Sequence, residues 1–385
     1  MNEKFESFSL LGGPLHRLGC QLGLVRCGTN TVQLGLALGF FAWGIMLVLT
    51  LIEGISDRIF SLLAIAGHVR LLVVIPLLFV CETFVSPRIT AFVDTVVRSG
   101  VVPQQTISTL KSELSRVSRW KDAWLPEALC LLAAVIFSLA GAYLNLYGLT
   151  ATNGLSEWAV DTSMTGQWYW IVCLTPFRFL LFRWIWHFGL WCFILWRIST
   201  LELNLVPTHP DGAGGLGYLE IVQSHFTPMV LSISVVQAAM FAGDISAGRM
   251  TLEAVYPALA LILIVDIVLF IGPLLIFTPK LWACRVKGLG NYMVFAAHYV
   301  NDFDKKWLGT GSSVQQPMLG TPDLQSLADL GNSINVVRNM RFVPASTRLL
   351  ISLAITAIVP MLPLLLLKYP IAVLAEKFFT NLAGI

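Results

Sequence analysis

LEAVYPALALILIVDIVLFIGPLLIF, residues 252–277, runs for twenty-six residues with only Glu253 and Asp266 charged. A spanning helix takes about 20 mostly apolar residues. Inside a bilayer only a helix or a closed barrel satisfies every backbone N–H and C=O group. The stretch is rich in Leu, Ile and Val and lacks the alternation of a barrel strand, so it reads as a membrane helix. Six further runs read the same way: 33–54, 70–85, 127–149, 178–200, 218–243 and 345–367. The fold expected is all-α, a polytopic membrane protein of about seven transmembrane helices in a lipid bilayer.

Composition agrees. The chain is 56% apolar and 12% charged, against about 25% charged in soluble domains. A net charge of +3 gives no ground for a nucleic-acid partner. The seven cysteines (Cys20, Cys27, Cys81, Cys130, Cys173, Cys192, Cys284) form no CxxC and no paired metal spacing. Neither a disulfide framework nor a metal site is expected, and no motif calls for a cofactor. HExxH, GxSxG and the Walker GxxxxGK[ST] pattern are missing, so no catalytic residues are assigned. Residues 1–32 lack the compact apolar core of a signal peptide and read as a cytosolic or interfacial tail.

The basic residues orient the chain. With seven spans and the N-terminus inside, the cytosolic segments are the tail, 86–126, 197–217 and 278–344, and they hold seventeen Lys and Arg. The outside segments hold five: Arg58, Arg70, Arg249, Lys368 and Lys377. That positive-inside bias predicts an N-in, C-out topology, in a plasma (inner) membrane. Three basic-side stretches are amphipathic at helical spacing: 104–121, 281–308 and 322–340. They predict a cytosolic helical layer, with a flexible loop over 309–321 between the last two.

An internal duplication is also suggested. Gly54-Ile55-Ser56-Asp57-Arg58 closes the first span and Gly243-Asp244-Ile245-Ser246-Ala247-Gly248-Arg249 the fifth. Ser86-Pro87-Arg88 answers to Thr278-Pro279-Lys280 at the exits of the second and sixth. Trp124-Leu125-Pro126 and Phe342-Val343-Pro344 precede the third and seventh at a constant offset, which also aligns Ser108 with Ser326 and Ser115 with Ser333. The plan would be 3+1+3 parallel repeats within a single unit over 1–385. Half 1 is 33–149, span 4 and its loop 150–217, and half 2 218–385. Such repeats recur in transporters.

Two groups of residues carry possible chemistry. Arg183 and His187 lie four apart on span 4, His225 near the start of span 5, and Asp266 in mid-span 6. Charges at that depth face a bundle interior or a wet cavity. Asp266 reads as the only acid well inside a span, with Arg183 or His187 as its expected partner; a purely structural ion pair is the plainer alternative. The other group is the loop His209-Pro210-Asp211-Gly212-Ala213-Gly214-Gly215-Leu216-Gly217. Gly212, Gly214 and Gly217 satisfy GxGxxG, but after a membrane helix and not a strand, so a dinucleotide fold fails on context. A glycine-rich turn at a helix start can still hold an anion on its backbone N–H groups; as a plain connection it would hold nothing.

Span 4 carries aromatics along its whole length, from Phe177 to Trp196, which fit packing or a lipid-facing role better than an apolar ligand site. Prolines at 76, 228, 257, 273, 360 and 363 fall within spans and predict kinks. Two functions remain open. One is permeation of an ion or small solute through a channel or ion-coupled transporter, a homo-oligomer among the arrangements allowed. The other is a membrane-embedded enzyme or sensor binding a phosphorylated or lipidic ligand at 209–217.

Overall fold

The structure is a computed structural model, and it describes residues 12–14, 17, 21, 31–55, 64–146, 164–308 and 321–368. Most of the tail 1–32, nearly all of the loop 309–321, Arg58 and Lys377 lie outside the described residues. Among those described, every regular element is helical. In order they are α1 (Val32–Ile52), α2 (Ile65–Arg98), α3 (Ile107–Asp122), α4 (Trp124–Leu146) and α5 (Met164–Thr200). There follow α6 (Tyr218–Ser224), α7 (Thr227–Ser246), α8 (Leu252–Ile271), α9 (Thr278–Trp307), α10 (Pro322–Arg338) and α11 (Thr347–Ile358). Seven stretches are long and apolar enough to cross a membrane: α1, α2, α4, α5, α6 with α7, α8 running into α9, and α11 with its continuation to Leu367. The described residues are all-helical, and their seven long apolar helices are those of an integral, multi-pass membrane protein.

The prolines act in different ways. Pro76 and Pro176 follow π-helical turns at Arg70–Val74 and Tyr169–Cys173. Each ring would clash with the carbonyl four residues back, which lies inside the π turn, so the widened turn relieves that contact. Pro273, Pro360 and Pro363 sit in 3-10 segments, Gly272–Phe277 and Val359–Leu364. Pro228 does not kink its helix but starts α7, where its missing N–H costs nothing. Pro87 is not an exit either: α2 continues eleven residues beyond it, to Arg98.

α2 and α5 form the centre of the bundle. α1 lies along α2, and α4 along α5. α7 packs on α2 and α11, while the 3-10 continuation of α8 packs on α5. Facing away from these contacts are Phe40 and Phe41 on α1, Leu132 and Ile136 on α4, Ile264 and Val268 on α8, and Ile351 and Ile355 on α11, all exposed. Such outward apolar faces suit lipid, because acyl chains solvate Leu and Phe as readily as a core does. α1 packs chiefly on α2, whereas α7, the first span of the other half, packs on both α2 and α11 and only lightly on α8.

The predicted amphipathic stretches gather at one end of the bundle, the basic end. α3 folds back on α5 with Leu110, Leu114 and Val117 buried, and Arg197 pairs with Glu113 at 2.7 Å. α9 and α10 form a hairpin pinned, at the end where the chain passes from one to the other, by Asp323, which accepts from Lys306 Nζ (2.5 Å) and Trp307 Nε1 (3.1 Å). Pro322-Asp323 is thus a helix start, as its sequence predicts. The apolar face of α9 is covered only in part, with Trp282, Val286, Met293 and Phe295 exposed.

Candidate functional site

Among the described residues Arg183 is the most deeply buried charge, 1% exposed. Its Nη1 and Nη2 donate to the two carboxylate oxygens of Glu82 on α2 at 3.0 and 2.8 Å. Nε donates to Glu127 Oε1 on α4 at 3.0 Å, and Nη2 also to the Gly12 carbonyl at 3.0 Å. A bidentate fork of this kind is the strongest geometry a guanidinium offers. It is also a necessary one, since each ion loses several kcal/mol of hydration on burial. Three spanning helices are therefore tied at one level by one side chain.

Further charges extend the cluster toward the basic end. Lys121 is buried and lies 3.6 Å from Asp122, which also meets Arg17 at 3.5 Å and accepts from the Gly13 N–H. Burial lowers the Lys121 ammonium from its ordinary range; Asp122 opposes this and Arg17 and Arg183 reinforce it. Arg17, Lys121 and Arg183 face Glu82, Asp122 and Glu127, so the cluster is balanced in charge.

The expected pairing of Asp266 with Arg183 or His187 is not what forms. Asp266 is buried on α8 with Oδ2 lacking a hydrogen-bond partner. His187, one turn along α5 from Arg183, is buried against Trp184 with Nε2 likewise unpartnered. His225 sits in the break between α6 and α7, where its Nε2 accepts from Arg88 Nε at 3.1 Å, apart from the other three. The partners that sequence reading missed are Glu82 and Glu127. The usable signal was that both fall inside or at the first residue of apolar runs. Each also lies near a span end, where an acid is unremarkable.

A second polar group lies nearer the opposite end, between the two π turns. Arg70 opens the first turn and donates to the hydroxyl of Tyr169, which opens the second, at 2.6 Å. Arg178 donates to Ser138 on α4 at 2.8 Å and lies over the ring of Trp170, 5.7 Å from its centroid. Arg70 was expected in an outside loop; it belongs to α2. Close by, α2, α5 and α7 enclose a cavity of about 150 Å³ lined by Leu78, Phe177, Leu181, Met229, Ser232 and Gln237 among others.

Comparison with known families, curated proteins and solved structures finds no match to this chain. Its function is therefore argued from its own geometry.

The loop at 209–217 looks different once its hydrogen bonds are followed. The Asp211 carboxylate accepts from the backbone N–H of Ala213 (2.8 Å), Gly215 (3.1 Å) and Gly217 (2.7 Å), and His209 Nδ1 lies 2.8 Å from it. Burial raises the carboxyl's proton affinity, but the three amides and His209 outweigh it and hold Asp211 below the usual carboxylate range. Gly212, Gly214 and Gly215 all have positive φ, the backbone that aims successive N–H groups inward. The anion in that cradle is the chain's own. Arg341 locks the outside of the loop, bonding the Asp211 carbonyl (2.6 Å), the Gly212 carbonyl through its own N–H (2.8 Å) and Glu220 (2.7 Å). As a ligand site for a phosphate the loop is filled; as a joint between α5, α6 and α10 it is complete.

Proposed function

We propose that the protein is a permeation protein, a channel or ion-coupled secondary transporter for an ion or small solute, without nucleotide hydrolysis of its own. The observation that carries this reading is a succession of polar groups along α2, α4 and α5 that reaches the end of α3. It runs from Tyr169 and Arg70, through Arg178 and Ser138, to Arg183 with Glu82 and Glu127, and on to Lys121 and Asp122. From Arg70 to Glu82 the rise along α2 is about 18 Å, more than half a bilayer core. A protein that needed only an anchor would not place so many ionisable groups there, because each costs free energy unless a bundle interior or water receives it. The unpartnered Asp266 and His187 are groups suited to carrying a proton. In this reading the basic end faces the cytosol and the chain runs N-in to C-out.

The test is flux of K⁺, Na⁺, Cl⁻ and H⁺ through purified protein in liposomes, with Asp266→Asn alongside. A flux selective for one of these ions supports permeation, and its loss in the variant places Asp266 on the path. Liposomes that stay tight under every gradient refute the proposal.

A further inference from the structure

We propose that Arg70 and Arg178 together form a binding site for a small inorganic anion. The inference rests on the permeation reading for its role and names the charge of the species that passes.

The argument is one of missing compensation. Arg183 has two carboxylates, and Arg17, Arg197, Arg249 and Arg341 each have an acid within 3.5 Å. Arg70 and Arg178 have none among the described residues. Their hydrogen-bond partners are neutral hydroxyls, Tyr169 for Arg70 and Ser138 for Arg178. Their other contacts are ring faces, Phe177 at 6.0 Å from Arg70 and Trp170 at 5.7 Å from Arg178. The two side chains converge on neighbouring residues, Arg70 at Tyr169 and Phe177 and Arg178 at Trp170, next to Tyr169. Both lie in helices apolar enough to span a membrane.

A cation in such surroundings needs a counter-charge or water, and two adjacent ones need it more. Each guanidinium has five N–H donors in a planar fork, and a single bond from each to a hydroxyl leaves most of them open for an anion. The flanking aromatics tolerate a cation on their faces but exclude a second one from the site's edges only weakly, so selection rests on the arginines. Arg70 and Tyr169 each open a π turn, and π turns recur where a helix presents a functional group. A cavity between α2, α5 and α7 shares Phe177 with the pair, though neither arginine lines it.

The experiment has two arms on the full-length protein. In the first, liposome flux is measured for Cl⁻ and K⁺ with wild type, Arg178→Gln and the double variant Arg70→Gln/Arg178→Gln. In the second, thermal stability of the detergent-solubilised protein is followed against chloride, nitrate or inorganic phosphate, at constant ionic strength set with gluconate. Native mass spectrometry of the same samples scores retained phosphatidylglycerol. The expected results are Cl⁻ flux that falls roughly tenfold in Arg178→Gln, the scale of one lost charge-assisted bond, and an anion-dependent rise in stability that the double variant lacks. Flux of K⁺ alone, with no anion effect on stability, overturns this inference and leaves permeation standing. Tight liposomes with an anion effect lost in the double variant overturn permeation and uphold the site. Retained phosphatidylglycerol lost only in the double variant, without any free-anion effect, overturns the site as one for a small anion and assigns it to a lipid phosphate. Variants that keep wild-type flux and wild-type anion response also overturn it.

Discussion

Arg183→Met should be among the most damaging single changes in this protein, and the reason can be put in numbers. The substitution keeps an unbranched apolar stem but deletes four hydrogen bonds: two to Glu82, one to Glu127 and one to the Gly12 carbonyl. Glu82 and Glu127 are 4% and 6% exposed, so neither gains water when the guanidinium goes. Removing one partner of a buried ion pair costs about 3–5 kcal/mol. Two carboxylates lean on this one cation, which places the loss at the upper end of that range. Replacing all three groups together, Arg183→Met with Glu82→Leu and Glu127→Leu, removes the unpaired charges as well. That variant should return to within about 1–2 kcal/mol of wild type, as apolar replacements of buried ion clusters do. Reversible unfolding in mixed micelles, titrated with sodium dodecyl sulfate, reads both values. A single variant that loses under about 1 kcal/mol, or a triple variant no better than the single, would refute the claim that mutual charge holds α2, α4 and α5 together here.

Other outcomes follow from the same coordinates. Asp211→Asn should cost about 1.5–3 kcal/mol, the scale of a charge-accepting hydrogen-bond set, because the amide turns an N–H₂ toward backbone donors. Since Asp211 is held below its unfolded value, its contribution is full above about pH 4 and is lost as pH falls through the folded pKa; melting temperatures of wild type and variant should converge in acid and separate at neutral pH. Gly39→Ala on α1 places a Cβ 2.2 Å from the Leu71 carbonyl oxygen of the first π turn, so α1 must move off α2, at about 1–3 kcal/mol. Gly44→Ala on the same helix meets nothing within 4 Å and should be neutral or stabilising by up to about 1 kcal/mol; thermal stability of the pair makes the comparison. Glu53 accepts from the Met164 and Thr165 N–H groups and the Thr165 hydroxyl at the start of α5, and Glu53→Ala should cost about 1 kcal/mol, read as faster hydrogen exchange at 164–168.

Much of the architecture was legible before any coordinates. Seven apolar runs imply seven spans, since a bilayer demands length and apolarity from each helix separately. The apolar spacing of 107–117 marks a packed face on α3, and Pro322-Asp323 marks the start of α10. These are local properties, carried by residues within a turn or two of one another. The limits of the helices were less legible where proline sits, because Pro87 is tolerated inside α2 and Pro228 only begins α7, and nothing local to either residue distinguishes the two.

What tertiary structure alone decided is which groups meet. Arg183 lies 101 residues from Glu82 and 56 from Glu127, and no spacing rule spans such distances. Asp266 has the right depth and sign for Arg183, yet α4 and α2, not α8, bring carboxylates to it. The glycine loop carries the pattern of an anion cradle, but its fold turns Asp211 into that cradle. Hydropathy and helical period are written along the chain and can be read there, whereas the partner of a buried charge is set by which helix faces pack together.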